Sequence, residues 1–231
     1  MNQWSMKKII LKYVIEFSVI VLGISVSFWF DKYQTSLDNI DREKEVLSEL
    51  STELEVIENT VKNRDSVFRF DTENLIRVIN DNISDVTFSY SELLIASIDY
   101  RGFSPSEEIY TSLKYDGGLK FIRNSKIKVA IESFYNGTKS GVLANTQDEI
   151  IVQREVLKYI QFNHPQLLIE IGKMKIPDFE KIKLFTKVVQ EDRTLKSLLT
   201  SKLRFMKSKL VFLQRYKNSL KKLKNLIDLS I

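Results

Sequence analysis

The sequence predicts an all-α protein: one N-terminal transmembrane helix, then a long stalk helix and an antiparallel helical bundle. Three observations carry that expectation. Residues 9–30 form an apolar run whose last fourteen positions hold no charge. Apolar residues recur at spacings of three and four through residues 31–79 and again through 193–229. The 231 residues contain only 7 Gly and 3 Pro, too few for the many turns of an all-β fold.

The first element is IILKYVIEFSVIVLGISVSFWF, residues 9–30. At ~1.5 Å per residue it reaches about 33 Å, enough to cross a hydrocarbon core of ~30 Å. Trp4 and Tyr13 precede its centre and Trp29 and Tyr33 follow it, where amphipathic rings settle at a membrane interface. Lys12 and Glu16 stand four apart on one helical face near the start, as the polar residues of the span. A cleaved signal peptide is the rival reading. The bulky Phe28-Trp29-Phe30 after the weak cleavage triplet Ser25-Val26-Ser27 favours a retained anchor. Lys7, Lys8 and Lys12 crowd the N-terminal side, so residues 1–8 are expected in the cytoplasm and residues 31–231 outside it. Gly23 and Ser27 form a small-xxx-small pair that permits close approach of a second helix.

The stalk follows without a linker. Ile40, Leu47, Leu50, Leu54, Ile57, Val61 and Phe68 give a heptad seam, read as an association face at Leu47, Leu50, Leu54, Ile57 and Val61. Residues 38–58 are strongly acidic, and the stalk ends near Asn80. The middle, residues 86–190, breaks into shorter helices. Ser89 and Glu92 make a capping box. Ser104-Pro105-Ser106-Glu107 reads as a second helix start, with Pro at the first helical position. Asp116-Gly117-Gly118 ends that helix and Asn124-Ser125 opens the next. Pro177-Asp178 starts another, with Phe179, Ile182 and Phe185 toward the core. The five tyrosines Tyr90, Tyr100, Tyr110, Tyr115 and Tyr135 read as core packing, with a ligand pocket as the alternative.

The last helix, residues 193–229, is the most basic part of the chain. Residues 193–231 hold eleven Lys/Arg and one Asp, against a formal charge of +5 for the whole. Opposite charge and a shared apolar stripe predict packing against the acidic stalk in antiparallel register. On that geometry Lys221, Lys222 and Lys224 are expected to return to the lipid surface as interface residues.

The chain resembles an uncharacterised family of short single-span bacterial envelope proteins. The stretches that carry the resemblance are YVIEFSVIVLGISV (residues 13–26), REKEVLSELSTELE (42–55) and YTSLKYDGGLKFIRNSKIKVAIESFY (110–135). The membrane exit departs from the pattern: Phe28-Trp29-Phe30 stands where Asn and Trp are expected. The resemblance implies an envelope location and an α fold, and it supplies no activity or catalytic residue.

Composition narrows the chemistry. With no Cys and one His, a disulfide framework, a thiolate zinc site, an iron–sulfur cluster and a multi-histidine metal centre are excluded. No phosphate-binding Gly-rich loop or nucleophile elbow is present. His164, beside Pro165, reads as a turn residue. The expectation is therefore a non-enzymatic, cofactor-free membrane-anchored scaffold of the bacterial inner membrane with its domain in the periplasm. Its partners would be the lipid bilayer and a second copy or another envelope protein, with no nucleic acid and no identified small-molecule substrate. The alternatives are a ligand-sensing bundle that signals through a partner, or a tethered effector with a cytoplasmic domain.

Overall fold

The computed structural model describes residues 3–230, with side chains from Leu11 onward. Trp4, Lys7 and Lys8 lie outside the residues whose side chains are described. The described chain is all-α. One helix, α1 (Gln3–Ile79), runs unbroken for 77 residues, about 115 Å at ~1.5 Å per residue. It contains no Pro and a single glycine, Gly23, so no residue forces a break.

The remaining elements wrap the distal half of α1. They are α2 (Tyr90–Ile98), α3 (Glu108–Tyr115), a 3-10 turn (Gly118–Phe121), α4 (Ser125–Glu132), a π-helical turn (Ser133–Thr138) and α5 (Lys139–Asn163). A short α6 (Gln166–Ile169) and a 3-10 turn (Ile171–Lys173) lead to α7 (Asp178–Glu191) and α8 (Arg193–Asp228). Rising numbers on α8 meet falling numbers on α1: Lys217 pairs with Asp65 at 3.2 Å and Lys224 with Glu58 at 2.5 Å.

Local chemistry explains several boundaries. Ser89 accepts from the Glu92 N–H while Glu92 accepts from the Ser89 N–H, a complete capping box at α2. Asn124 caps α4 through the Lys126 N–H. Asp192 caps α8 through the N–H groups of Thr194 and Leu195.

The Ser104-Pro105 start is corrected. Helix α3 begins at Glu108, and Pro105 and Phe103 are buried in the connection before it. A tertiary cap replaces the local one: the buried Glu53 carboxylate accepts from the N–H groups of Ile109 (2.7 Å) and Tyr110 (3.2 Å). Phe179 is corrected too: it is 40% exposed, while Ile182, Phe185 and Val189 on the other face of α7 are buried.

Two apolar cores fill the wrapped half. The proximal core joins Leu47, Leu50, Leu54 and Ile57 of α1 to Ile127 of α4 and to Leu213, Leu220 and Ile227 of α8. The distal core joins Leu75 and Val78 to Leu93, Ile160, Phe185 and Leu199. Between them lies a buried polar belt that includes Asp71, Asn74, Asn145, Glu149, Gln153, Lys202 and Lys209.

Candidate functional site

The proximal third of α1 is the part of the chain that its own fold leaves unpartnered. Every described side chain from Leu11 to Asp38 is exposed. That includes Tyr13 (65%), Phe17, Leu22 and Trp29 (67%). An apolar helix left bare by its own domain needs another apolar surroundings. By length and composition this helix is long and apolar enough to cross a membrane. Within it, Lys12 and Glu16 pair across one turn at 3.8 Å. Trp29 and Tyr33 stack at 5.8 Å between ring centroids, near the first charges Asp31 and Lys32.

Gly23 and Ser27 line a shallow groove on this helix with Ile20, Ile24, Phe28 and Asp31. The Ser27 hydroxyl donates to the Gly23 carbonyl at 2.9 Å, so its polar atom is satisfied within the helix. A Cβ added at Gly23 meets no atom within 4 Å, so the space above it is open. The same face continues along Phe30 (60% exposed), three residues beyond Ser27, and Leu37 (44%), seven beyond Phe30. It ends at the exposed Asp41.

The seam farther along behaves differently from expectation. Leu47, Leu50, Leu54, Ile57 and Val61 are each 0–1% exposed and belong to the proximal core. They share that core with buried residues of α3, α4 and α8 of the same chain. A residue already buried at 0% has no area left to bury against a second copy, so these five are corrected from association face to intramolecular core.

The lipid-facing role of Lys221, Lys222 and Lys224 is corrected as well. Lys224 meets Glu58, which is 28 residues beyond Phe30. At ~1.5 Å per residue that is about 42 Å from the end of the apolar run. The C-terminal part of α8, at Lys222, Leu223 and Leu226, flanks the start of α4 at Ser125 and Lys126. The base of the domain is the descent along α3, the turn at Gly117-Gly118 and the ascent along α4. Arg123, at the end of that turn, donates to Glu43 through its backbone N–H (2.7 Å) and its guanidinium (2.6 Å). Partial burial pushes the Glu43 carboxyl upward, but the Arg123 bonds outweigh it and hold the group below the usual range. Gly117 has φ +70, the left-handed backbone that glycine adopts without strain.

Charge recurs inside the polar belt. Lys202 is fully buried and donates to the Asp99 carbonyl. Lys209, also buried, pairs with Glu149 and donates to the Arg101 carbonyl at 3.2 Å. Arg101 donates to Asp71 at 2.9 Å, and Gln153 donates to the Ile98 carbonyl. Side chains from α1, α5 and α8 thus hold the segment 98–101, which crosses the belt as a strap. The space beneath it is about 10 Å³, room for one water and no organic ligand. Burial pulls the Lys202 ammonium down to about 8, against the opposing attraction of Glu149.

The tyrosines divide. Tyr90, Tyr110 and Tyr135 are buried, Tyr110 stacks on Tyr135 at 4.0 Å, and Tyr135 donates to Glu53 at 2.6 Å. Tyr100 and Tyr115 are exposed, the latter at 85%. His164 closes α5 and bonds Asp192 at 2.6 Å, and Tyr159 donates to the same carboxylate oxygen. Among the described residues, no group of three His, Asp or Glu side chains is placed to hold a metal ion.

Sequence reasoning missed Lys202, Lys209, Glu43 and Glu53. The first two sit on the apolar stripe of α8, between Leu199, Met206 and Leu213, and that position was the available signal. Glu43 and Glu53 share the buried face of α1 with its leucines.

Compared with protein-family models, curated proteins and solved structures, the chain matches none of them.

Proposed function

We propose that the chain is a non-enzymatic, membrane-anchored helical scaffold of the bacterial envelope that self-associates through its span. The N-terminus lies in the cytoplasm, α1 crosses the inner membrane over residues 9–30, and the antiparallel bundle stands in the periplasm. The observation that carries this reading is the continuity of α1. The same helix is bare and apolar through residues 11–30 and becomes the central core helix from Val46 onward. Membrane and domain are joined by helix rather than by a flexible linker, so an event in the span is felt directly by the bundle. The resemblance to single-span envelope proteins points the same way.

The association face is Gly23, Ser27, Phe30 and Leu37, one line on α1 at spacings of four, three and seven. Small residues at its centre let two backbones approach, and packing rather than hydrophobic transfer drives such pairing in lipid. Asp41 ends the line, so two parallel copies meet like charge above it. The pairing is thereby confined to the span and the base of the stalk. No other chain or ligand is required by this arrangement.

Single-cysteine crosslinking in membranes tests it, because the chain has no native Cys. Ser27→Cys should form a disulfide-linked dimer under mild oxidation. Ser25→Cys, about 160° round the same helix from it at ~100° per residue, should not. Equal crosslinking at both positions, or none at Ser27→Cys, would remove the association face from the proposal.

A further inference from the structure

We infer that the base of the domain, the α3–α4 turn, is a docking surface for anionic lipid headgroups. The inference rests on the reading of residues 9–30 as a span. Between Lys114 and Lys128 the chain carries five Lys/Arg and one acid, Asp116. Arg123 is engaged by Glu43, which pins the turn to α1 at that level. Lys114, Lys120, Lys126 and Lys128 are exposed and have no carboxylate partner among the described residues. The Lys128 ammonium lies back over the turn, 3.5 Å from the Lys120 carbonyl, so it points toward the base rather than up the bundle. Tyr115, next to Lys114 in the chain, is 85% exposed.

Height supports the choice of partner. Glu43 is thirteen residues beyond Phe30, about 20 Å along an upright α1 at ~1.5 Å per residue. Headgroups occupy roughly 5–7 Å of that distance. Extended lysine side chains and a span tilt of ~20° narrow the remainder toward one Debye length, ~8 Å at physiological ionic strength.

The acids of α1 do not cancel the patch. Asp31, Asp38, Asp41 and Glu45 lie about 120–160° round the helix from Glu43 at ~100° per residue, on the side away from the turn. Lys32 lies on the turn's side. The Gly23 face is also about 160° from Glu43, so span pairing leaves the basic turn free to meet lipid.

The bilayer then holds the domain on two attachments, the span and the turn, and fixes its tilt and rotation. Each cation near an anionic surface adds attraction that falls away beyond a Debye length, so the contact should be sensitive to salt.

The test uses the full chain reconstituted into vesicles of phosphatidylcholine alone or with phosphatidylglycerol. A fluorophore is placed at Ser125→Cys on the turn, or at Ser201→Cys on distal α8, and the quencher is a nitroxide on the lipid headgroup. The expected result is quenching at Ser125→Cys with phosphatidylglycerol at low salt, lost in high salt or when Lys120, Lys126 and Lys128 are all changed to Gln. Quenching at Ser201→Cys should be absent throughout. Circular dichroism of the triple variant checks that the bundle stays folded. Equal quenching in both lipids, or none at Ser125→Cys in chain that resists alkaline extraction, overturns the inference while the span stands. Chain that is extracted from the vesicles by alkali overturns the span reading itself, and the inference with it.

Discussion

Lys202→Met is the sharpest perturbation of the fold. The wild-type ammonium is fully buried in the polar belt, and burial lowers its pKa from 10.5 to about 8. At Lys202 the folded state therefore binds fewer protons than the unfolded chain between pH 8 and 10.5, so this group's contribution to stability rises with pH across that window. Below pH 8 the folded state bears the whole cost of the buried charge, about 3 kcal/mol at ~1.4 kcal/mol per pH unit of displacement. Above pH 10 the trend reverses. Burial raises the hydroxyl pKa values of Tyr90, Tyr135 and Tyr216, so the unfolded chain loses protons that the folded state keeps. Met at position 202 removes the charge but leaves the Asp99 carbonyl without its donor, a loss of ~1–3 kcal/mol. The variant is expected to be as stable as wild type at pH 7, or more stable by up to about 2 kcal/mol, and to lack the rise from pH 8 to 10. The assay is denaturant unfolding of the detergent-solubilised full chain, followed by circular dichroism at pH 7, 8, 9 and 10. A flat wild-type profile, with a variant several kcal/mol less stable at every pH, would refute the reasoning and make the ammonium a net anchor of the strap.

Three further outcomes are expected. Leu54→Ala should cost ~2–5 kcal/mol, because Leu54 is fully buried. The Ser27→Cys crosslink should persist in that variant, as it would not if the seam joined the two copies. Gly117→Ala should cost ~1–2 kcal/mol, because φ +70 places a new Cβ against the following carbonyl; a thermal melt measures it. Asp192→Ala should cost ~1 kcal/mol through loss of the α8 cap alone. Partial burial pushes the Asp192 carboxyl up, but His164 and the capped N–H groups prevail and hold it at about 2. Its stabilisation is present above pH 4 and lost as pH falls toward 2, so the acid limb of the stability profile should flatten in the variant.

The helices that announce themselves in the sequence do so through chemistry local to the chain. The Ser89–Glu92 box, the Asn124 cap and the start at Asp178 need no distant partner, and all three stand where the residues place them. The apolar stripe of α8 was equally legible, since its leucines recur with the helix. What was illegible depends on residues far apart in sequence. Helix α3 starts at Glu108 because a carboxylate 55 residues earlier caps it, and no pattern around Ser104 records that. A heptad seam has the same spacing whether it packs on a second copy or on the chain's own α8. The height of Lys221, Lys222 and Lys224 depended on where α8 stops against α1, and the charge tally carries no such length. Net charge also hid Lys202 and Lys209, which count as surface cations in a sum and sit in the core.

The proposed crossing of a membrane by α1, with the domain outside the cytoplasm, is tested most directly by its topology. With no native Cys, Ser201→Cys supplies a single exposed thiol on distal α8. Intact cells with a permeabilised outer barrier are treated with a membrane-impermeant maleimide, beside lysed cells as the control. Labelling in intact cells, with the chain retained in alkali-washed membranes, is the expected result. Labelling only after lysis would put the bundle in the cytoplasm and contradict the envelope scaffold.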